Sequence, residues 1–339
     1  MYPALELREE GHEGSSVVES YHLRPMNCPH HHKIFGSRKR SYRELPLRLA
    51  EFGQVYRFEN SGSLSGILRV RGLCQNDAHL YCSEEQVPNE LAAVLSLYRR
   101  AYGALGIEDL KLRLSLRDSA PSGGGKEKYV ENPEAWEKSQ NLLREALVKS
   151  GLEFEEVTGE AAFYGPKVDV QLRSVTGREE TASTIQLDFT SAGRMGLSYV
   201  GKDNLPHVPW IIHRAPLGSH ERMVAFLLER FGGAFPTWLA PIQARVLSVA
   251  EPFSEYAQVV ESALRSRGIR ADRDHSSERL GKQILRASQE KIPNLLIVGQ
   301  REKEEGTVTV RRRGVAAQLT LPLEELVKAW ALEIQERRN

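Results

Sequence analysis

Three arginines and two carboxylates crowd one stretch of this chain, Phe52–Cys82, which reads FGQVYRFENSGSLSGILRVRGLCQNDAHLYC. A guanidinium is planar and offers paired donors, so it grips a phosphate through two parallel hydrogen bonds. Alternation with period two puts Val55, Arg57 and Glu59 on one face of a first strand-like run. Ile67, Arg69 and Arg71 share a face of a second run, and beyond Gly72 the residues Gln75, Asp77 and His79 keep that parity. The polar residues 60–65 (NSGSLS) supply the turn between the runs. Two adjacent antiparallel strands bearing these side chains would form a cationic platform. A solvated sheet face laced with ion pairs is the plainer alternative. The Gln, Asp and His that continue the same face favour a site.

A second set of residues could hold a metal. His30, His31 and His32 form a short His tract beside Cys28, and His79 and His213 lie far along the chain. Their spacing makes neither a zinc finger nor an HExxH pattern. On residue types alone, packing or surface roles are the default for each. Gly123, Gly124, Gly125 and Lys126 sit in a loop over residues 118–128 (DSAPSGGGKEK) that lacks the GxxxxGK[ST] pattern and its strand–turn–helix frame. That loop reads as solvated.

The elements that must position these groups alternate in type. Residues 41–52 give a short apolar packing stripe. Residues 84–105 predict a helix with Val94, Leu97, Tyr98 and Tyr102 facing the core, and 110–116 a strand. A helix bearing Trp136 runs to Lys149, and strands return over residues 157–189. There Lys167, Asp169 and Gln171 alternate with Val168, Val170 and Leu172, while Thr184, Gln186 and Asp188 alternate with Ile185, Leu187 and Phe189. A strand ends over 210–212, and Ser219 caps a helix to Arg230 with Met223, Phe226, Leu227 and Phe231 on its buried stripe. Arg222 lies off that stripe in the first turn, near the positive helix end. Beyond FPTWLAP, a β-α-β-α-β order predicts a separate α/β domain.

Bulk properties add limits. The 339 residues are 40% hydrophobic, enough for a large core and a smaller second domain. The net charge of +1 announces no nucleic-acid partner, although Pro241 onward carries 17 Lys and Arg against 14 Asp and Glu. Three cysteines, no membrane-length apolar run and no signal-peptide pattern point to a reduced, cytoplasmic protein.

The arginine stretch also resembles motif 2 of class II aminoacyl-tRNA synthetases in its threonyl version. LRPMNCPHH upstream, then YGPK, STIQLDF, IIHRAPLGSHER and FPTWLAP downstream, match the same family in the same order. The resemblance implies an α+β fold: an antiparallel-sheet catalytic domain over 1–239 and an α/β anticodon-binding domain over 240–339. In the family a motif 1 segment and an editing domain would stand upstream of the matched stretch, so a truncated chain, a late start and a shortened paralogue are all compatible with the resemblance. Met1 therefore reads as an internal methionine of a longer ancestor.

The function implied is ligation of threonine to tRNA(Thr), with ATP, magnesium and one zinc per chain. Cys28, His79 and His213 would ligate the zinc, which in the family takes the amino group and hydroxyl of threonine together. Arg57 would stabilise the α-phosphate, while Glu59 would orient adenine or the amino acid. Arg69 and Arg222 would hold the outer phosphates, and Gln186 and Ser219 complete the ATP site. Gln75, Asp77, Tyr164 and Lys167 would surround threonine, with Lys167 beside its activated carboxyl. Glu302 and Arg311 would read anticodon bases. A homodimer is expected from the family. The chain departs from the pattern at Thr181, where a Gln is common, and at Ser277 and Leu285, where Asn and Arg contacts are expected. Two other functions draw on the same residues: a paralogue that activates an amino acid for another acceptor, and a non-catalytic RNA-binding regulator.

Overall fold

The computed structural model describes residues 1–11, 14–108, 110–118, 128–173 and 177–338. The chain divides into two units, Met1–Phe226 and Leu227–Asn339. The first opens with a hairpin of β1 (Leu5–Gly11) and β2 (Gly14–Tyr21) that the sequence did not announce. Cys28 then begins α1 (Cys28–Gly36), where Pro29 sits in the first turn and its missing N–H goes unneeded. The His tract is therefore helical, and α1 buries His31, His32 and Phe35. A short β3 (Arg40–Ser41) leads to β4 (Leu47–Tyr56) and β5 (Gly72–Cys82). These two pair antiparallel from Leu47–Tyr81 to Tyr56–Gly72.

Next come α2 (Val87–Ala104), β6 (Lys111–Leu116), α3 (Pro133–Ser150), β7 (Phe154–Thr158) and β8 (Lys167–Arg173). The unit continues with β9 (Glu179–Asp188), α4 (Ser191–Arg194), the two-residue β10 (Tyr199–Val200) and β11 (Pro206–His207), and β12 (Trp210–Ala215). Seven strands form its main sheet in the order β4-β5-β12-β9-β8-β6-β7, antiparallel except for the β6–β7 pair. On α2, Leu91, Val94, Leu95, Tyr98 and Tyr102 are buried. Leu97, expected in the core, is only half-buried, because Leu91, Leu95, Tyr98 and Tyr102 complete the i, i+4, i+7 face. The Tyr98 hydroxyl donates to the Thr184 carbonyl at 2.6 Å and Tyr102 meets Ser183 at 2.7 Å, so α2 is tied to β9.

Two expectations change here. The arginines do not stand on paired strands. After Tyr56 one further bond, Arg57 N–H to the Arg71 carbonyl at 2.8 Å, extends the ladder. The Glu59 N–H then turns back to the Arg57 carbonyl and Ser61–Ser63 winds a helical turn, so Arg57, Glu59, Ile67, Arg69 and Arg71 lie on the connecting loop. The second change concerns Trp210–Ile212, which begins β12 rather than ending a strand. His213 and Arg214 remain in register between β5 and β9, and Ala215 still pairs with Thr184 of β9.

Helix α5 (His220–Phe231) follows, burying Met223, Phe226 and Leu227, while Phe231 is half-buried. The second unit holds β13 (Ala244–Ser248), α6 (Ser254–Ser266), β14 (Ala271–Arg273), α7 (Leu280–Gln289) and β15 (Asn294–Val298). It ends with α8 (Gln300–Glu305), β16 (Thr307–Arg312), β17 (Leu319–Pro322) and α9 (Leu323–Gln335). The sheet is mixed, in the order β14-β13-β15-β16-β17: β13 is parallel to β14 and β15, and the last two strands are antiparallel. Val246, Val260, Leu264, Leu296, Val308 and Trp330 fill its core. Within this unit, helix α8 and strand β17 are the elements sequence periodicity did not mark. Among the described residues, no helix is long and apolar enough to cross a membrane.

Candidate active site and metal centre

Strand order builds the site. Because β12 lies between β5 and β9, His213 sits directly across from His79 on one side and Gln186 on the other. All three therefore face the same way. Beyond β12 the chain turns at Gly218, whose φ is +61° and where a Cβ would stand 1.9 Å from the Ala182 carbonyl oxygen. Only glycine fits that approach. It lets Ser219 bridge to Gln75 on β5. Ser219 then caps α5, its hydroxyl accepting from Arg222 N–H at 3.2 Å. Glu221 reinforces the join by accepting the Cys74 N–H at 3.1 Å.

A cleft of about 430 Å³ opens over this surface. Arg57, Glu59, Arg69, Gln75, Asp77, Tyr164, Gln186, Ser219 and Arg222 line it, together with Cys28, His79 and His213. Every expected catalytic-domain site residue but one is thus gathered there. The exception is Lys167. It lies opposite Gln186 in register, but its ammonium is held 2.7 Å from Asp169, which Ser115 also contacts at 3.0 Å. Asp169 and Gln171 are themselves buried, so the polar face of β8 is interior rather than solvated.

Partners decide what each group is free to do. Among the described residues, the Arg57 side chain makes one hydrogen bond, from Nε to the Pro25 carbonyl at 3.3 Å, and the rest of its fork is left for a ligand. Arg222 is more committed, donating to the carbonyls of Leu68 at 3.1 Å and Thr181 at 3.0 Å. Burial lowers its pKa from the ordinary guanidinium value. Arg69 pairs with Glu59 at 2.9 Å in an exposed ion pair that a phosphate could displace. Arg71 is turned away, bonded to the Glu59 carbonyl and lying over the Phe58 ring. Gln186 is held by the Tyr164 hydroxyl and by Thr184. Asp77 accepts from the buried Asn27 amide at 3.0 Å, and burial raises its pKa against that bond. Gly53 makes room for Asn27, since a Cβ there would stand 2.4 Å from the amide.

Among the described residues, Cys28, His79 and His213 form a metal-compatible group whose ligand atoms lie within 4.8 Å of one another. His213 presents Nδ1 to the Cys28 sulfur at 3.7 Å and Nε2 to the buried Asp188 carboxylate at 3.1 Å. Burial works to lower the His213 pKa, but Asp188 and Cys28 outweigh it and hold it up to about 10. His79 has its Nε2 buried without a hydrogen-bond partner among the described residues. Burial pushes its pKa, and that of His31, below the usual imidazole value. One thiolate and two imidazoles, one of them oriented by a carboxylate and the other with an orphaned nitrogen, fit a zinc ion with a position left open. Sequence reading gave no role to Asn27 or Glu51, and it had Asp188 only on a polar strand face and His31 only in the His tract, without the partners they meet here. Each acts across strands or from a helix that was not foreseen.

In the second unit, the Glu302 carboxylate accepts from Gly299 N–H at 2.9 Å and from the Thr309 hydroxyl at 2.8 Å, which locks it to the start of α8. Arg311 is exposed on β16, and Leu285 is 58% exposed on α7.

This sheet and the cleft it carries belong to a class II tRNA synthetase core. The family described as tRNA synthetase class II core domain (G, H, P, S and T) matches residues 13–231, and an anticodon binding domain matches 243–331. A threonine–tRNA ligase of Geobacillus kaustophilus is 45% identical over 340 residues, covering 100% of this chain and 50% of its own length. That of Rubrobacter xylanophilus is 51% identical over 295 residues, covering 87% and 45%. The crystal structure of the RNA binding domain of threonyl-tRNA synthetase from Cryptosporidium parvum superposes with a TM-score of 0.84 at 37% identity, covering 98% of this chain and 79% of that one. The chain belongs to the threonyl-tRNA synthetases of class II. It spans about half the length of the curated relatives it matches.

Proposed function

We propose that this chain activates threonine with ATP and transfers it to tRNA(Thr). The observation that carries this reading is the placement of the Cys28–His79–His213 group in one cleft with Arg57 and Arg222. A threonine carboxylate oxygen attacks the α-phosphorus, the bond to the bridging oxygen breaks, and pyrophosphate leaves. The carboxylate already bears its charge, so no general base is required. Arg57 meets the charge that grows on the α-phosphate, and Arg69 and Arg222 hold the outer phosphates with magnesium. Glu59 and Gln186 orient the nucleotide, and Ser219 stands at the start of the helix that carries Arg222. Asp77, held by Asn27, accepts from the threonine hydroxyl, with Gln75 and Tyr164 beside it. Lys167 reaches the activated carboxyl only by leaving Asp169.

Cys28, His79 and His213 would hold zinc. When bound, the ion supplies a Lewis-acidic position for a substrate with both an amine and a hydroxyl, which valine lacks. A hydroxyl of the terminal tRNA ribose then displaces AMP. Domain limits of 1–239 and 240–339 and a homodimeric assembly belong to the same reading.

Among the described residues, Arg311 is the sheet arginine of the second unit without a side-chain partner, Arg245, Arg273 and Arg312 being ion-paired, whereas Glu302 must release its cap to touch RNA. Arg311→Ala should leave pyrophosphate exchange unchanged and raise the tRNA concentration needed for charging, as measured by aminoacylation of purified tRNA(Thr). The exposed Leu285, where an Arg contact is expected, favours a second reading: an amino-acid-activating paralogue with another acceptor. Charging that is indifferent to Arg311→Ala, or absent in a protein active in exchange, would put that reading first.

A further inference from the structure

Arg71 stays outside the cleft, yet it holds three consecutive residues of the loop that serves it. Its carbonyl accepts the Arg57 N–H at 2.8 Å, and its Nε donates to the Glu59 carbonyl at 3.0 Å. Between those two bonds its guanidinium lies 5.8 Å from the centre of the Phe58 ring. The Tyr2 ring meets the same phenyl edge-to-face, with centroids 5.2 Å apart and planes at 80°. Phe58 is 55% exposed, so these two contacts rather than a core hold its ring. Arg57 and Glu59, on either side of it, line the cleft.

The backbone explains why such a hold matters. The β4–β5 ladder ends at the Tyr56–Gly72 pair, and the Glu59 N–H then returns to the Arg57 carbonyl at 2.9 Å. That bond closes a three-residue turn with Phe58 at its apex. One such bond does not fix the direction of the side chains that flank the apex. A guanidinium suits the task because one planar group can lie against an aromatic face and still donate within its own plane.

We propose that Arg71 is a positioning residue for adenylation: by holding Phe58 and the Glu59 carbonyl, it keeps Arg57 and Glu59 turned toward the nucleotide. It touches no reacting atom itself. The inference rests on the adenylation reading of the cleft. It gives two neighbouring arginines different tasks. Arg69 lines the cleft and pairs with the Glu59 carboxylate, an exposed pair that a phosphate can displace. Arg71 holds the Glu59 carbonyl from outside, so Glu59 stays in place when Arg69 changes partner.

Arg71→Ala keeps the backbone bond to Arg57 and removes both side-chain holds. In the full chain it should lower kcat/KM for ATP in threonine-dependent pyrophosphate exchange by about 10–100-fold, the scale of a small misplacement of reacting groups. Arg71→Lys keeps the charge without the planar fork and should lose activity in the same direction. A double-mutant cycle with Arg57→Ala tells positioning from a merely structural role. If Arg71 acts through its neighbour, Arg71→Ala should cost much less once the Arg57 guanidinium is gone. Equal losses in the two backgrounds would overturn the proposal, as would wild-type kcat/KM in Arg71→Ala. Amide hydrogen exchange gives a second readout that needs no activity. Protection over residues 57–59 should fall in Arg71→Ala, and unchanged protection would refute the hold. Wild-type protein without threonine-dependent exchange would sink the adenylation reading, while amide exchange still decides whether Arg71 fixes the loop.

Discussion

Replacing Arg57 with Ala should lower threonine-dependent ATP–pyrophosphate exchange by about 10²–10³, the usual cost of one preorganised contact to developing charge. The thermal midpoint should hardly move. The second half of that expectation follows from the contacts of that side chain. Arg57 lies on the loop after β4, and among the described residues its side chain makes a single hydrogen bond, 3.3 Å to the Pro25 carbonyl, so little of the fold depends on it. Arg222 offers the contrast. Its guanidinium ties Leu68 to Thr181 across the cleft, so Arg222→Ala should lose a comparable amount of exchange and also loosen the loop over residues 57–71. A raised ATP KM and a lower thermal midpoint would mark that second effect. Exchange in Arg57→Ala within a factor of a few of wild type would remove Arg57 from the chemistry.

The second large effect concerns the metal. His213→Ala should reduce zinc from one per chain to none and abolish threonine binding, while ATP binding survives. Metal analysis and calorimetry on one preparation would read both. Removing the imidazole strips the buried Asp188 of one partner. That carboxylate still accepts from the Thr190 and Ser191 N–H groups at 2.7 and 2.8 Å, which is why the fold should tolerate the change. Cys28→Ala reaches the same site from α1 and should give the same loss without touching Asp188. A folded His213→Ala protein that keeps threonine affinity would contradict the zinc assignment.

How far the residues disclosed this site follows from how local each signal is. Gln75, Asp77 and His79 share a face because β5 is regular, and a period of two survives wherever a ladder is continuous. The Ser219 cap and the buried residues of α5 were legible for the same reason. Arg57 and Arg69 satisfied the same arithmetic by coincidence, since the chain between Tyr56 and Gly72 is a loop with no period to obey. The contact between Asp188 and His213 spans 25 residues, and that between His31 and His79 spans 48. Such contacts depend on strand order and on where α1 packs, and neither is written in local pattern. The ligand trio itself was visible only through family likeness. Spacing had offered no reason to join Cys28 to a histidine 185 residues away.

Threonine-dependent exchange of labelled pyrophosphate into ATP, run on the wild-type chain with its zinc intact, tests the central claim most directly. Threonine should drive exchange, serine should drive it more weakly, and valine should stay at background because it offers no hydroxyl. Magnesium should be required throughout. Exchange absent with all three amino acids, or supported by valine as well as by threonine, would contradict the account.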